Sequence, residues 1–192
     1  MKQKFKLIFA IAIFALMIAG AFFAYKVLGG RVSPGGNIFL TANHDNNPGD
    51  GNPKVKAPGF SIDTIDGETI NLSGMFGKPI VLNFWASWCP PCKIEMPDFD
   101  KVYRELGNEV QFMMVDLTDG QRETAEKGIQ YIREQGFSFP VYFDTRQEGA
   151  YEYGIRAIPT TFFIDKDGYI AAGVQGAIDE GTLRTGIEML LH

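Results

Sequence analysis

KPIVLNFWASWCPPCKIEMP, residues 78–97, decides how the rest of the chain is read. From Ile80 to Ala86 the run is too continuously apolar for a strand with one wet face, and so predicts a buried central strand. It leads into Cys89-Pro90-Pro91-Cys92. From Pro90 to about Leu106, the positions Ile94, Phe99, Val102, Tyr103 and Leu106 approximate a helical stripe. Pro97 has no N–H for the Lys93 carbonyl and is expected to kink that helix. In a helical turn, Cα atoms three residues apart lie about 5–5.5 Å from each other. A disulfide needs ~5.5–6 Å, so the pair closes and opens with little backbone motion. Cys89 falls at the helix N-terminus, where free N–H groups and the dipole lower a thiol's pKa and favour it as the attacking sulfur; Cys92, one turn inside, would resolve the mixed disulfide. Pro90 and Pro91 donate no hydrogen bond to a Cys89 thiolate, which tilts the pair toward reducing chemistry.

Outward from this junction, Phe60–Ile65 and Thr69–Leu72 flank Asp66-Gly67 and predict an N-terminal hairpin. Val110–Asp116 reads as a second buried strand and Arg122–Gln135 as a helix with Ala125, Ile129 and Ile132 on one face. Pro140–Phe143 is a short strand, and Glu148–Tyr153 a short helical segment. Thr161–Ile164 and Tyr169–Val174 bracket the turn Asp165-Lys166-Asp167-Gly168, and Asp179–Leu191 closes as a helix packing Leu183, Ile187 and Leu190 inward. A βαβ unit followed by a hairpin and a helix implies an α/β fold: a central mixed β-sheet with helices on both faces. Ile158-Pro159-Thr160 precedes one of these strands. A cis Pro159 there would leave the backbone of Ile158 open to an extended substrate chain near Cys89.

The N-terminus reads as an address. Lys2, Lys4 and Lys6 precede an uncharged apolar run from Leu7 to Tyr25, 19 residues long. At ~1.5 Å per residue it nearly matches a hydrocarbon core of ~30 Å. Residues 1–28 are therefore expected to be a cytoplasmic tip and a single transmembrane signal-anchor, leaving the remaining chain extracytoplasmic at the cell membrane. Ala19-Gly20-Ala21 also fits a cleavage pattern, the signal-peptide alternative; both readings export the domain to where disulfides persist. Residues 29–54, rich in Gly, Asn, Asp and Pro, read as a flexible linker, although Ile38–Leu40 is apolar enough to dock. Residues 55–192 form the folded domain.

Composition narrows the function. The chain of 192 residues is 45% hydrophobic with a net charge of −5, and residues 1–54 carry +4, so the folded part carries −9. Such a domain is repelled by phosphate backbones, which argues against nucleic-acid binding. The two cysteines are too few for a disulfide scaffold or a thiolate zinc cluster, and His44 and His192 read as solvated surface residues. No metal site is expected.

WCPPC after a buried strand, with IPTTFFID downstream, resembles the thioredoxin superfamily. More narrowly, Ala57 to His192, including APGFSIDTIDGETINLS and KPIVLNFWASWCPPCKIEMP, resembles the TlpA/ResA-like group of membrane-anchored bacterial thiol-disulfide oxidoreductases. Pro159 follows Cys92 by 67 positions, longer than in thioredoxin itself, which fits that group's extra βα insertion. The resemblance implies a thioredoxin-like fold, a Cys89 nucleophile, a resolving Cys92 and a cis Pro159. It also implies a substrate surface made by Trp88, Pro90, Ile158 and Pro159. It points to Glu95 as the carboxylate near the cysteines; Glu95 is i+3 from Cys92 and would relay its proton, the alternative being a solvated helix carboxylate. Asn83 stands where thioredoxin has a buried Asp, which favours Glu95 as its substitute, although a simple hydrogen-bonding core residue fits Asn83 equally well.

The implied activity is reduction of disulfides in exported proteins, apocytochrome c during cytochrome c maturation among them, with a membrane electron donor of the CcdA/DsbD type. The sulfurs carry the electrons, so no cofactor is called for. A thioredoxin-fold peroxidase would show Thr or Ser three residues and Pro seven residues before its reactive cysteine, where this chain has Ala86 and Leu82. The remaining alternative is a non-enzymatic exported binding module in which the two cysteines staple a loop.

Overall fold

Ile80–Trp85 (β5) is buried at all six positions because a strand pairs with it on each side and packed layers cover both of its faces. A computed structural model describes residues 37–41 and 54–191. In it, β5 lies between β6 (Gln111–Asp116), which is parallel to it, and β8 (Thr160–Ile164), which is antiparallel. The remaining strands are β1 (Asn37–Thr41), β2 (Val55–Lys56), β3 (Ser61–Thr64), β4 (Thr69–Asn71), β7 (Val141–Phe143) and β9 (Tyr169–Gln175). They complete one mixed sheet in the order β1-β9-β8-β5-β6-β7-β3-β4, with β2 also paired to β9.

The hairpins form where the Gly-containing turns place them. Gly67 takes φ 81° between β3 and β4, and Gly168 takes φ 79° between β8 and β9. In the second turn Asp165 Oδ1 accepts from the N–H groups of Asp167 (3.0 Å) and Tyr169 (2.8 Å). The N-terminal hairpin joins the sheet through β3, which pairs antiparallel with β7.

The helices are α1 (Pro90–Leu106), α2 (Ala125–Gln135), α3 (Glu148–Glu152) and α4 (Glu180–Leu191). The expectation of helices on both faces holds unequally. Apolar residues of α1, α2 and α4 share one cluster with Val81, Trp85 and Phe163, whereas α3 and a 3-10 turn at Leu72–Met75 lie beside the cluster of Phe60, Ile62, Phe84 and Phe162. The crossovers β5-α1-β6 and β6-α2-β7 advance in the same direction across the sheet. Right-handed connection then places both helices on one face.

Three local readings are corrected. Ile94 is 74% exposed, because the buried face of α1 runs through Cys92, Met96, Phe99 and Val102 and position 94 lies on the opposite side. Helix α2 starts at Ala125 rather than Arg122, because Thr124 is its N-cap and accepts from Lys127 N through Oγ1. Leu72 belongs to the 3-10 turn, not to β4. Helix α1 itself runs on through Pro97.

Within the stretch read as a linker, Asn37–Thr41 pairs antiparallel with β9, which gives the Ile38–Leu40 triplet its place. The expected membrane anchor, residues 1–28, lies outside the described residues, as do residues 29–36 and 42–53 of the linker, His44 and His192. No helix among the described residues is long and apolar enough to cross a membrane.

Gly186 of α4 lies against the Phe163 ring so closely that a Cβ would overlap three ring atoms. Gly186→Ala should therefore destabilise the domain by ~1–3 kcal/mol through overpacking, against the ~1 kcal/mol an unobstructed helical alanine gains. Gly181→Ala, where only Asp179 Oδ1 is near at 3.7 Å, should be neutral or stabilising; urea unfolding of both variants checks the contrast.

Candidate active site

The end of β5 and the start of α1 place the two sulfurs. Cys89 is the N-cap of α1, in extended conformation (φ −85°, ψ 110°), with Pro90 and Pro91 as the first two helical residues. An N-cap side chain accepts from the second or third N–H of the helix. Pro91 removes the second, and Cys89 Sγ takes the third, the N–H of Cys92, at 3.3 Å. Cys89 and Cys92 are joined as a disulfide with their Cα atoms 5.3 Å apart. Of the pair only Cys89 keeps any exposure, 2%, and Cys92 is sealed.

The Ile158–Pro159 bond is cis, and the Ile158 carbonyl oxygen lies 3.6 Å from Cys89 Sγ. Among the described residues the main chain of Ile158 has no main-chain partner, whereas the Pro159 carbonyl is occupied by Gly176 N at 2.8 Å. Pro159 is buried and Ile158 half-buried; Pro90 is exposed, and Trp88 is 36% exposed with the Arg122 guanidinium stacked 3.4 Å above its ring centre. Residues far apart in sequence thus share one edge of the sheet around Cys89.

Glu95 faces inward from α1 and is 1% exposed. Its Oε1 accepts from Asn83 Nδ2 (2.8 Å) and its Oε2 from Ile178 N (3.0 Å), while Asn83 Nδ2 also donates to Thr161 Oγ1 at 2.9 Å. Burial pushes the Glu95 carboxyl up to about 8, and the Ile178 and Asn83 donors, which favour the ionised form, only partly offset it. Asn83 Oδ1 has no donor. A half-turn of the amide would present that oxygen as an acceptor to the protonated acid. Thr161 and Ile178 escaped the sequence reading because they reach Glu95 and Asn83 only through tertiary pairing; a polar Asn83 inside a buried strand was the available signal.

A second pair of buried acids, Asp116 and Glu123, lies beside the turn that leads to Cys89 and was likewise missed. An Asp closing the apolar run FMMV was its signal. Among the described residues no group of His, Cys, Asp and Glu is arranged to hold a metal ion.

A redox cysteine pair at the N-terminus of a helix, facing a cis-proline loop across a mixed sheet, defines a thioredoxin-like thiol-disulfide oxidoreductase whose two-electron chemistry needs no cofactor beyond Cys89 and Cys92. Residues 53–172 match the AhpC/TSA family, and the chain belongs to it. It is 36% identical over 124 residues to the thiol-disulfide oxidoreductase ResA of Bacillus thuringiensis (strain Al Hakam), covering 63% of this chain and 68% of the relative. It is 30% identical to ResA of Bacillus subtilis (strain 168), over 70% of this chain and 73% of that one. Among solved structures, StoA from Bacillus subtilis superposes with a TM-score of 0.60 at 32% identity, covering 70% of this chain and 99% of that one. The pneumococcal exposed lipoprotein thioredoxin Etrx1 of Streptococcus pneumoniae gives 0.57 at 31%, over 68% and 99%. The positions where a peroxidase would carry Thr or Ser and Pro, Ala86 and Leu82 respectively, are buried apolar core.

The raised Glu95 value fixes the sign of a pH effect. Between the ordinary carboxyl value of 4.5 and about 8 the folded chain holds a proton that the unfolded chain has released, so stability falls as pH rises through that window. Replacing Glu95 by Gln removes this contribution. Urea unfolding across the window should show wild type losing stability relative to Glu95→Gln; a constant difference would contradict the assignment.

Proposed function

We propose that the chain is an extracytoplasmic reductase of disulfides in exported proteins, anchored by residues 1–28 and tethered by residues 29–54. The observation that carries this reading is Cys89 Sγ at the helix N-cap, 3.6 Å from the carbonyl of Ile158, whose main chain has no main-chain partner among the described residues. An extended substrate would pair with Ile158 beside Pro159 and lie over Trp88 and Pro90, presenting its disulfide to Cys89.

The electrons then balance over two exchanges. The Cys89 thiolate attacks one substrate sulfur, forms a mixed disulfide and releases the other substrate sulfur as a thiolate, which takes up a proton. Glu95 takes the proton of Cys92, whose thiolate attacks Cys89 Sγ; the second substrate sulfur is expelled as a thiolate and takes up that proton from Glu95, and the enzyme is left as the Cys89–Cys92 disulfide. A carboxyl titrating near 8 suits a base working close to neutral pH. Return to the dithiol requires a membrane electron donor of the CcdA/DsbD type. Apocytochrome c, whose haem-binding cysteines must be reduced, is the client suggested by the likeness to the ResA proteins. The apolar run Leu7–Tyr25 and the likeness to an exposed lipoprotein thioredoxin support the placement outside the cell.

Cys92→Ala in the full chain should accumulate mixed disulfides through Cys89, and Cys89→Ala should accumulate none; equal trapping by both would overturn the assignment of roles. Mass spectrometry of the trapped proteins should find apocytochrome c. Its absence among other exported proteins would sink the maturation reading and leave the reductase.

Pro91→Ala restores the missing N–H donor to Cys89 Sγ and should raise the reduction potential by ~30–60 mV, as one added charge-assisted hydrogen bond predicts. Equilibration against a glutathione buffer reads the shift, and an unchanged or lower potential would contradict the role given to the prolines.

A further inference from the structure

Asp116 closes β6 in register with Trp85 of β5, four residues before Cys89, and Glu123 precedes the N-cap of α2. Both are fully buried. Glu123 Oε2 accepts from Ser87 N (3.1 Å) and Ser87 Oγ (2.8 Å) and so pins the turn between β5 and Cys89, which the bond from Cys89 N to Ala86 O closes at 3.1 Å. The other oxygens are orphaned: Asp116 Oδ1, Asp116 Oδ2 and Glu123 Oε1 have no N–H or O–H donor. The two carboxyls are within hydrogen-bonding reach of each other.

Among the described residues nothing packed around them supplies a counter-charge. On α2, Gly128 approaches Asp116 Oδ2 so closely that any Cβ would collide with it, and Phe143 of β7 lies near the same position. Lys127 spends its Nζ on the carbonyls of Gln121 (3.2 Å) and Arg122 (2.8 Å), and Arg122 stacks on Trp88. Asp119 accepts from Gln121 N and Glu123 N, Asp144 caps Ala150 N, and both add only negative charge. Two adjacent ionised carboxylates in such a site are untenable, whereas one proton between them satisfies both.

We propose that Asp116 and Glu123 share one proton, Asp116 donating to Glu123 Oε1, and that this pair is the positioning device holding the Ser87 turn, and through it Cys89, at the tip of α1. The inference rests on Cys89 being the attacking thiol. The proton sits on Asp116, because two Ser87 donors already serve Glu123 and no donor serves Asp116. In agreement, burial and then the Glu123 charge push the Asp116 carboxyl up to about 9. The folded chain therefore keeps this proton at neutral pH and loses it, and the hold on the turn, as pH rises through that value.

The full chain, reduced and mixed with the aromatic disulfide 5,5′-dithiobis(2-nitrobenzoic acid), gives the rate readout, and infrared spectroscopy gives the proton. Asp116→Asn replaces the acid by an amide donor that does not titrate. It should react within about twofold of wild type at neutral pH, lack the wild-type fall in rate above pH ~9, and lose one protonated-carboxyl band. Asp116→Leu has no donor and should react ~10-fold more slowly. An unchanged carboxyl band in Asp116→Asn would overturn the shared proton, even if Asp116→Leu fails to fold. A wild-type rate in a folded Asp116→Leu would overturn the positioning role. Failure of the wild-type chain to react, with Cys89→Ser no different, would instead overturn the reading of Cys89, and the infrared band would still test the pair.

Discussion

The chemistry depends on one junction, where a strand buried on both sides ends and a helix begins with a cysteine as its cap. A helix N-terminus leaves N–H groups without internal partners, and here the group that accepts from one of them is a sulfur. The strand contributes rigidity, since β5 is clamped between β6 and β8 and buried along its whole length. The helix contributes polarity. Pro90 and Pro91 fit the first turn because its N–H groups lack helical partners anyway, and Pro91 also withholds a donor from the sulfur.

Around that junction the protein places carboxyl groups where burial makes ionisation costly. Glu95 lies behind the cysteines under two donors, and the Asp116–Glu123 pair lies beneath the turn that delivers Cys89. Burial raises the carboxyls of Glu95 and of Asp116, but their surroundings differ. Glu95 has neutral amide partners and can ionise into a hydrogen-bonded nest, which suits proton exchange. Asp116 faces another acid and can ionise only against an existing charge, which suits holding a proton rather than passing it on.

How far this was legible from sequence follows from how local each feature is. The run Ile80–Ala86, the Cys-x-x-Cys spacing and the Asp-Gly turns act over a few residues, and each appears where the pattern places it. The phase of α1 was misread by favouring Ile94 over Met96, because Ile94 is apolar yet sits on the wet side of a helix anchored by Cys92. The helix expected from Arg122 starts at Ala125 because Thr124 caps it, and the side chain of Glu123, just before the cap, is spent on Ser87 instead. The strand Asn37–Thr41 was hidden in polar, Gly-rich surroundings, and only the open edge of β9 makes it a strand. Nothing local distinguishes Glu123 from the chain's exposed acids; its partners come from other elements.

The central claim is that the helix tip makes Cys89 the reactive sulfur while the fold shields Cys92. Alkylation of the reduced chain with iodoacetamide at mildly acidic pH, with each site assigned by mass spectrometry, tests this directly. Labelling at Cys89 at least ~10-fold faster than at Cys92 is the predicted result. Equal rates, or faster labelling of Cys92, would contradict it.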